Sequence, residues 1–393
     1  MTSALMSNYG NPELEFDHGK GCYLFTPTGE RYLDFTMGIA VNCLGHCHPY
    51  LIAALQEQSQ KIWHSSNLFR IPQTERLASR LVEMTFAHRV FFSNSGTEAV
   101  EAGFKFMRRY HYSRGDKQRV RIIALTQSFH GRSLAPLAAS ANPLHVEGFL
   151  TGDPGFDQVT WGDIAALRAA ITEQTAGVIL EPIQGEGGIR VTPLEYLRQV
   201  RELCDEKGIL LMFDEVQSGV GRSGFLYAYQ ALSVTPDLLA SAKGLGGGFP
   251  IGACLASERL AAPMVAGTHG STFGGNPLAT AVGNAVLDVI MAPGFLEESM
   301  RRASQLHKGL ADIITNNPHV LSEQTGMGLM VGLKCVISNT DFVAALREDR
   351  LLVVKAGGNS LRLLPPLNVT HEEVEQALSI IRNACAAWPA KGH

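Results

Sequence analysis

Apolar residues gather in short continuous runs, at 90–92, 122–125, 177–180, 209–213, 238–240 and 253–255, without alternation of hydrophobic and polar positions. A strand covered on one face alternates and a strand covered on both does not, so these runs predict the inner strands of a mainly parallel sheet. Helical spacing fills several of the gaps. Leu194, Leu197, Val200 and Cys204 would form one apolar face, with Thr192 and Glu195 as a capping box and Pro193 at the first helical position. Ser95 and Glu98 show the same cap spacing ahead of a helical pattern from Ala99 to Tyr110. Alternation of strand and helix predicts an α/β fold with a doubly wound sheet.

From about residue 285 the pattern turns helix-rich, with shorter strand candidates at 329–333 and 361–364. The last helix is predicted to open at a further capping box, Thr370 with Glu373, and to bury Val374, Leu378, Ile381 and Cys385. Near the start, Tyr23, Phe25, Tyr32 and Phe35 predict strands. The expected division is a large domain over 46–284 and a smaller α+β domain over 285–393, the latter packed with an N-terminal segment, 1–45. No internal repeat or low-complexity linker breaks the chain.

Composition narrows the function classes. The 393 residues are 18% charged and 45% hydrophobic with 40 glycines, the balance of an α/β enzyme with much buried sheet. A net charge of −4 gives no long-range field for nucleic acid or an anionic membrane, and neither partner is expected. Met1-Thr2-Ser3-Ala4-Leu5-Met6-Ser7 lacks the basic start and apolar run of a secretion signal. The charge-free stretches 35–56 and 260–287 are interrupted by His46, His48 and Pro49, and by His269, Asn276 and Pro277, so neither reads as a membrane span. Seven scattered cysteines, odd in number and without a C-x-x-C, predict a reducing, cytoplasmic compartment and no disulfide framework.

Ligands of open α/β sheets bind beyond the carboxyl ends of the strands, so the residues after each run are the candidates. After 90–92 come Ser95, Gly96 and Thr97, whose amides at a helix start would face an anion. After 122–125 come Phe129, able to stack on a planar ring, and Arg132, able to grip a carboxylate. After 177–180 the Gly-rich turn holds Glu181 and Glu186. The run 209–213 ends at Asp214, and a buried ionised carboxylate needs a cation or several donors, which a protonated heteroaromatic nitrogen would satisfy. The run at 238–240 leads into Lys243 before Gly244-Leu245-Gly246-Gly247-Gly248, the one lysine of ten at a buried strand end beside a turn that admits a ligand. Burial there turns an ammonium into a nucleophile toward aldehydes. Each feature alone also reads as ordinary structure: an empty cap, a packed phenylalanine, a solvated arginine, a lysine reaching solvent.

Two other patterns point elsewhere. Gly219-Val220-Gly221-Arg222-Ser223-Gly224 satisfies G-x-G-x-x-G, the sign of a nicotinamide oxidoreductase, but no amphipathic helix opens there. His46-Cys47-His48 offers metal ligands whose side chains diverge, with no fourth ligand at zinc spacing, so no metal is expected and a turn before Pro49 is the better reading.

A helix-terminus anion site, a stacking aromatic, a buried aspartate and a strand-end lysine together describe a site for pyridoxal 5′-phosphate. Three segments carry a resemblance: Phe213-Asp214-Glu215-Val216-Gln217-Ser218-Gly219-Val220-Gly221-Arg222, Ala242-Lys243-Gly244-Leu245-Gly246-Gly247-Gly248-Phe249-Pro250 and Gly270-Ser271-Thr272-Phe273-Gly274-Gly275-Asn276-Pro277. With them the chain resembles the class III (ω-amino-acid) aminotransferases from Tyr9 to Leu367. The resemblance implies the fold-type I architecture of pyridoxal-phosphate transferases. It implies transamination of N2-acetylornithine with 2-oxoglutarate in arginine biosynthesis, by a homodimer with shared active sites. Lys243 would hold the cofactor covalently, Asp214 would pair with its ring nitrogen, Gln217 with its phenolic oxygen, and Phe129 and Val216 would cover its faces. Gly96 and Thr97 would hold the phosphate, joined by Thr272 from the neighbouring subunit. Arg132 and Ser271 would bind the end of the donor that carries the carboxylate and acyl group, and Arg362 the α-carboxylate of glutamate, with Glu186 as its switchable partner. Tyr9 would touch substrate. Ornithine-specific relatives tend to have a tyrosine where this chain has Gly38, which leaves room for an acyl group; succinylornithine, succinyldiaminopimelate, ornithine and 4-aminobutyrate stay open as donors.

Overall fold

Seven strands form the central sheet, in the order Arg89–Ser93, Gly252–Ala256, Leu238–Ser241, Leu210–Asp214, Thr175–Leu180, Arg121–Leu125 and Phe156–Val159. The computed structural model describes residues 4–10, 12–150 and 152–388; Met1, Thr2 and Ser3, on which part of the reading of the start rests, lie outside it. All neighbours run parallel except Gly252–Ala256, which is antiparallel to both of its own. Six strands coincide with the six continuous runs. Successive residues explain why those runs do not alternate: Leu210 and Met212 pack into one core cluster, Leu211 and Phe213 into another on the opposite face. The edge strand Phe156–Val159 has no such run, because Asp157 and Gln158 sit in its middle and it is only partly buried.

The helix Gly96–Ser113 covers one face through Ala99, Val100, Phe104 and Met107. Gly103 lets it lie against the sheet, since a Cβ there would run into the Met212 side chain. The helix Leu194–Lys207 covers the other face through Tyr196, Leu197, Val200, Leu203 and Cys204. Its start differs from the expected one. Pro193 occupies the cap position, Leu194 is 37% exposed, and no side chain caps the helix. Thr192 N donates to Pro182 O at 2.9 Å, extending a two-stranded hairpin, and its hydroxyl donates to Glu181 O at 3.0 Å. Pairing in the hairpin thus commits the side chain that the cap spacing had assigned to the helix. At the last helix, His371–Ala387, the predicted box forms: Thr370 Oγ1 accepts from Glu373 N at 3.2 Å and Glu373 Oε2 from Thr370 N at 2.9 Å.

A second, antiparallel sheet has the order Leu321–Met327, Met330–Cys335, Ser360–Leu363 and Val354–Ala356, flanked by the helices Phe295–Asn316, Asn339–Glu348 and His371–Ala387. A third joins the N-terminal strands His18–Lys20, Tyr23–Phe25 and Arg31–Asp34 to Leu351–Leu352, which pairs parallel with the last of them. The 284/285 division falls inside one helix, Pro277–Ile290, which packs against Pro49–Ser59 and Pro72–Met84; the chain turns only between this helix and Phe295–Asn316. Among the described residues no single helix is long and apolar enough to cross a membrane.

The glycines at 219–224 serve packing. A Cβ at Gly219 would meet Glu215 O at 2.7 Å, and one at Gly221 would meet Leu367 at 2.7 Å. Between them the fully buried Arg222 donates from Nη1 to Leu329 O at 3.1 Å and to Pro365 O, tying this turn to the second sheet.

The two cap spacings have separable consequences. Thr370→Ala should destabilise the chain by about 1 kcal/mol, the usual cost of a lost N-cap, whereas Glu195→Ala at the uncapped helix should change stability by less than about 0.5 kcal/mol. Urea denaturation midpoints of both variants check this, and equal shifts would contradict the assignment.

Candidate active site

Three neighbouring strands deliver a charged residue at the same edge of the central sheet. Glu181 follows Thr175–Leu180, Asp214 ends Leu210–Asp214, and Lys243 comes two residues after Leu238–Ser241. With the loop after Arg121–Leu125 and the start of the helix Gly96–Ser113 they enclose a cavity of about 380 Å³. Lys243, Asp214, Gln217, Val216, Phe129, Arg132, Gly96 and Thr97 all line it.

Asp214 is 5% exposed, and its carboxylate is satisfied by two donors. Val216 N donates to Oδ1 at 3.1 Å, and His130 Nδ1 lies 2.8 Å from Oδ2. His130 is itself buried, its Nε2 has no partner, and its amide donates to Ser140 Oγ at 2.8 Å. The sequence reading of this loop took up Phe129 and Arg132 and passed over His130 between them. Its only signal was its place beyond a strand end, as the partner lies 84 residues away.

Glu181 accepts from Phe129 N at 3.1 Å and Gly185 N at 3.3 Å. Burial first, and the nearby Asp214 second, push its carboxyl well above the usual range. Burial likewise raises Glu215 to about 7. Glu215 caps the short helix Ala228–Leu232 by accepting from Ala228 N at 2.6 Å and Tyr229 N at 2.9 Å. Of the three carboxyl groups only Asp214 is free of backbone-holding work in another loop.

Lys243 opens a short 3-10 turn, Lys243–Gly246, with φ of +45°, a left-handed conformation that costs a non-glycine residue about 1 kcal/mol. Burial lowers its ammonium to about 8; Arg362 acts in the same sense, while Glu186, Asp214 and Glu181 oppose it. A substantial share of neutral amine is therefore present near physiological pH.

At the opposite wall Ser95 caps the helix Gly96–Ser113, accepting from Glu98 N at 3.4 Å, and Glu98 Oε2 in turn accepts from Asn94 N at 2.7 Å. The reciprocal half of the predicted box thus falls one residue earlier than Ser95. The first helix amides have no partner inside the helix and attract an anion. Gly96 is required by contact: a Cβ there would sit 2.7 Å from Val216 Cγ1. Thr97 Oγ1 accepts the amides of Arg132 and Ser133, each at 3.2 Å, and fixes the loop that carries Phe129. The Arg132 guanidinium lies 5.4 Å from the Phe129 ring centre.

Behind Gln217 stands an ion pair. Arg362 Nη1 donates to Glu186 Oε1 at 2.6 Å and Nη2 to Oε2 at 3.2 Å, a bidentate contact, while Nη1 also lies 3.3 Å from Gln217 Oε1. The Arg362 side chain is 2% exposed and that of Glu186 37%. Four candidates lie elsewhere. Tyr9 is 91% exposed and away from the cavity. Ser271 Oγ accepts from Asn94 Nδ2 at 3.2 Å, behind the cavity wall, and the neighbouring Thr272 is exposed. His46 Nε2 is engaged by Asp34 Oδ2 at 2.8 Å, and the described residues contain no cluster of three or more metal-ligating side chains.

These groups fit pyridoxal 5′-phosphate. Open helix amides suit a phosphate, a buried carboxylate backed by an imidazole suits a protonated ring nitrogen, and a partly neutral lysine suits an aldehyde.

Comparison with known proteins gives the same direction. The family model described as Aminotransferase class-III matches residues 5–385. The chain is 54% identical over 380 residues to the acetylornithine aminotransferase of Brucella melitensis, covering 97% of this chain and 94% of that one. It superimposes on N-acetylornithine aminotransferase from Stenotrophomonas maltophilia with a TM-score of 0.85 at 36% identity, covering 97% of this chain and 98% of the other. For ornithine aminotransferase from Toxoplasma gondii, a structure with partial occupancy of PLP at its active site, the TM-score is 0.91 at 31% identity, over 96% and 91% of the two chains.

Desolvation of Lys243 predicts a pH profile that needs no turnover. The rate at which cofactor-free protein captures pyridoxal 5′-phosphate, followed by visible absorption, should rise with pH and level off above about 8, where Nζ is neutral. A rise that continues to the ordinary lysine value near about 10.4 would contradict it.

Proposed function

The chain belongs to the class-III aminotransferases, and from that premise we propose that it transfers the distal amino group of N2-acetyl-L-ornithine to 2-oxoglutarate. The products are N-acetyl-L-glutamate 5-semialdehyde and L-glutamate, a step of arginine biosynthesis. Pyridoxal 5′-phosphate is the cofactor, and when bound it supplies an aldehyde that condenses with amines and a ring that withdraws electrons from the substrate carbon beside the nitrogen.

The protein's own groups divide the remaining work. Asp214, held by His130 and Val216 N, keeps a proton at the ring nitrogen, while Gly96 and Thr97 hold the phosphate and Gln217 the phenolic oxygen. Phe129 and Val216 cover the ring faces. Lys243 Nζ would hold the cofactor's aldehyde and would serve as the base that moves the substrate's proton.

The observation that carries this reading is the Glu186–Arg362 pair. One site must take two donors in turn: acetylornithine reacts through an amine far from its carboxylate, glutamate through the amine beside its α-carboxylate. An open Arg362 would draw a carboxylate toward the reacting centre in both half-reactions. Paired at 2.6 and 3.2 Å, its charge is hidden, and the half-buried Glu186 is free to turn away when an α-carboxylate arrives. Arg132 then remains at the mouth for the donor's own carboxylate, whereas Ser271 and Tyr9 do not line this chain's cavity. Gly38, at φ of +62°, precedes the cavity-lining Val41 by three residues, and a Cβ there would meet the Asn42 and Val41 side chains at 3.4 and 3.5 Å. We extend the proposal to a cytoplasmic homodimer. All seven cysteines are free, and Thr272 is exposed beside Phe273, itself 60% exposed, on a segment that does not line its own chain's cavity. Thr272 would complete the phosphate site across the dimer. Sedimentation at twice the chain mass, and weakened cofactor retention in Thr272→Ala, test this part.

Side-by-side turnover of acetylornithine, succinylornithine, ornithine and 4-aminobutyrate decides the donor. Lys243→Ala should lower turnover by roughly a thousand-fold or more, since both the covalent link and the proton carrier are lost. Glu186→Ala should slow the acetylornithine half-reaction far more than the glutamate half-reaction, and Arg362→Ala should do the reverse. Stopped-flow spectra of each half-reaction measure the two losses separately; equal losses in both halves would sink the switch.

A further inference from the structure

At the cavity mouth Arg132 makes one side-chain hydrogen bond, from Nη2 to Nε2 of His145 at 3.3 Å. A guanidinium has no lone pair to offer and does not lose its proton in proteins, so the imidazole must be the acceptor. The contact therefore requires a neutral ring with its proton on Nδ1. His145 belongs to a single helical turn, Pro143–Val146, whose cap Asn142 accepts from Leu144 N at 3.1 Å. On the other side the guanidinium lies over Phe129, and among the described residues no carboxylate forms a salt bridge with it. An exposed arginine on a four-bond stem is thus held between an aromatic face and one acceptor.

We propose that His145 is a specificity-determining positioning residue. Its neutral imidazole holds Arg132 across the cavity mouth and leaves the other guanidinium nitrogens for the carboxylate of the donor. This rests on the reading of Arg132 given above. Two charged groups bear on the ring, Arg132 and Glu186 from the facing Gly-rich turn, while Glu147 ends its own helical turn. Burial and Arg132 move its proton affinity below the ordinary histidine value, while Glu186 opposes them, and the ring is neutral at neutral pH. Acidification below about 6.5 adds a proton to Nε2, removes the acceptor, and sets two cations face to face. The grip on the donor's carboxylate should then loosen without any change at Lys243.

The test compares acetylornithine with N-acetylputrescine, the same donor without its carboxylate. At pH 8, His145→Phe should raise KM for acetylornithine by roughly five-fold, the worth of about one hydrogen bond, with kcat within about two-fold. The kcat/KM for N-acetylputrescine should not move. His145→Gln, which offers an amide oxygen at a similar reach, should restore KM, and its KM for acetylornithine relative to N-acetylputrescine should stay flat between pH 8 and 5.5, whereas the wild-type ratio rises over that range. A wild-type protein that distinguishes the two donors, with a His145→Phe variant that distinguishes them equally well, would overturn this inference alone. A wild type that does not distinguish them would overturn the reading of Arg132 and this inference with it. A wild-type KM that falls on acidification would mean that the protonated ring joins Arg132 in binding the carboxylate, and would overturn the acceptor role.

Discussion

Three carboxyl groups buried at the ends of two adjacent strands set the terms for everything around them. Glu181, Asp214 and Glu215 cannot all be charged in so dry a place. The structure resolves this by giving each a different environment. Glu181, its carboxyl pushed up by burial, holds the Phe129 loop to the Gly185 turn; Glu215 faces away and caps a helix. Asp214 keeps two donors, one an amide of its own turn and the other an imidazole from the loop that follows Arg121–Leu125, two strands away. A parallel sheet, with all its strand ends on one side, is what allows this sorting.

The lysine depends on the same dryness. Its position in the cavity, with a strained backbone and an ammonium lowered to about 8, follows from burial between the strand ends rather than from any single neighbour. The apolar sheet below holds it there. Leu239 and Ala240 pack to opposite faces of a sheet covered on both sides, so the strand before Lys243 has no freedom to slide. The site is thereby assembled on rigid elements, with the adjustable groups, Arg132 and Glu186, confined to its rim.

Substrate choice is a question of charge exposure. Two arginines approach the cavity from different parts of the molecule, Arg132 from a loop of the central sheet and Arg362 from the strand Ser360–Leu363 of the second sheet. Gly357 N donates to Glu186 O at 2.8 Å, and Arg362 Nη2 to Lys355 O at 3.1 Å, so the backbone of the second sheet and the Gly-rich turn are tied together behind the ion pair. At this junction one cation is covered by the Glu186 carboxylate, while the other contacts the His145 ring. A site with both arginines open could not rank two donors whose carboxylates lie at different distances from the amine.

The amino-acid sequence by itself determined the interior strands, a few of the helices and which strand ends carry candidate chemistry. Six of the seven strands of the central sheet were legible because a strand covered on both faces must be continuously apolar, a property of neighbouring residues only. The Thr370 cap was legible for the same local reason. What failed was decided at a distance. Thr192 has the spacing of a cap, yet a hairpin partner claimed it, and the edge strand Phe156–Val159 owes its existence to pairing rather than to its own pattern. His130 meets Asp214 across 84 residues, Arg362 meets Glu186 across 176, and Arg132 meets His145 across 13 only because a short helix folds back over the mouth. The Glu186–Arg362 pair could be named from a family likeness, but the His130 and His145 contacts could not. Spacing along a chain fixes which residues share a face of one element, whereas hydrogen-bond partners between elements are chosen by the order in which the strands stack, and that order is set only when both faces of the sheet are packed.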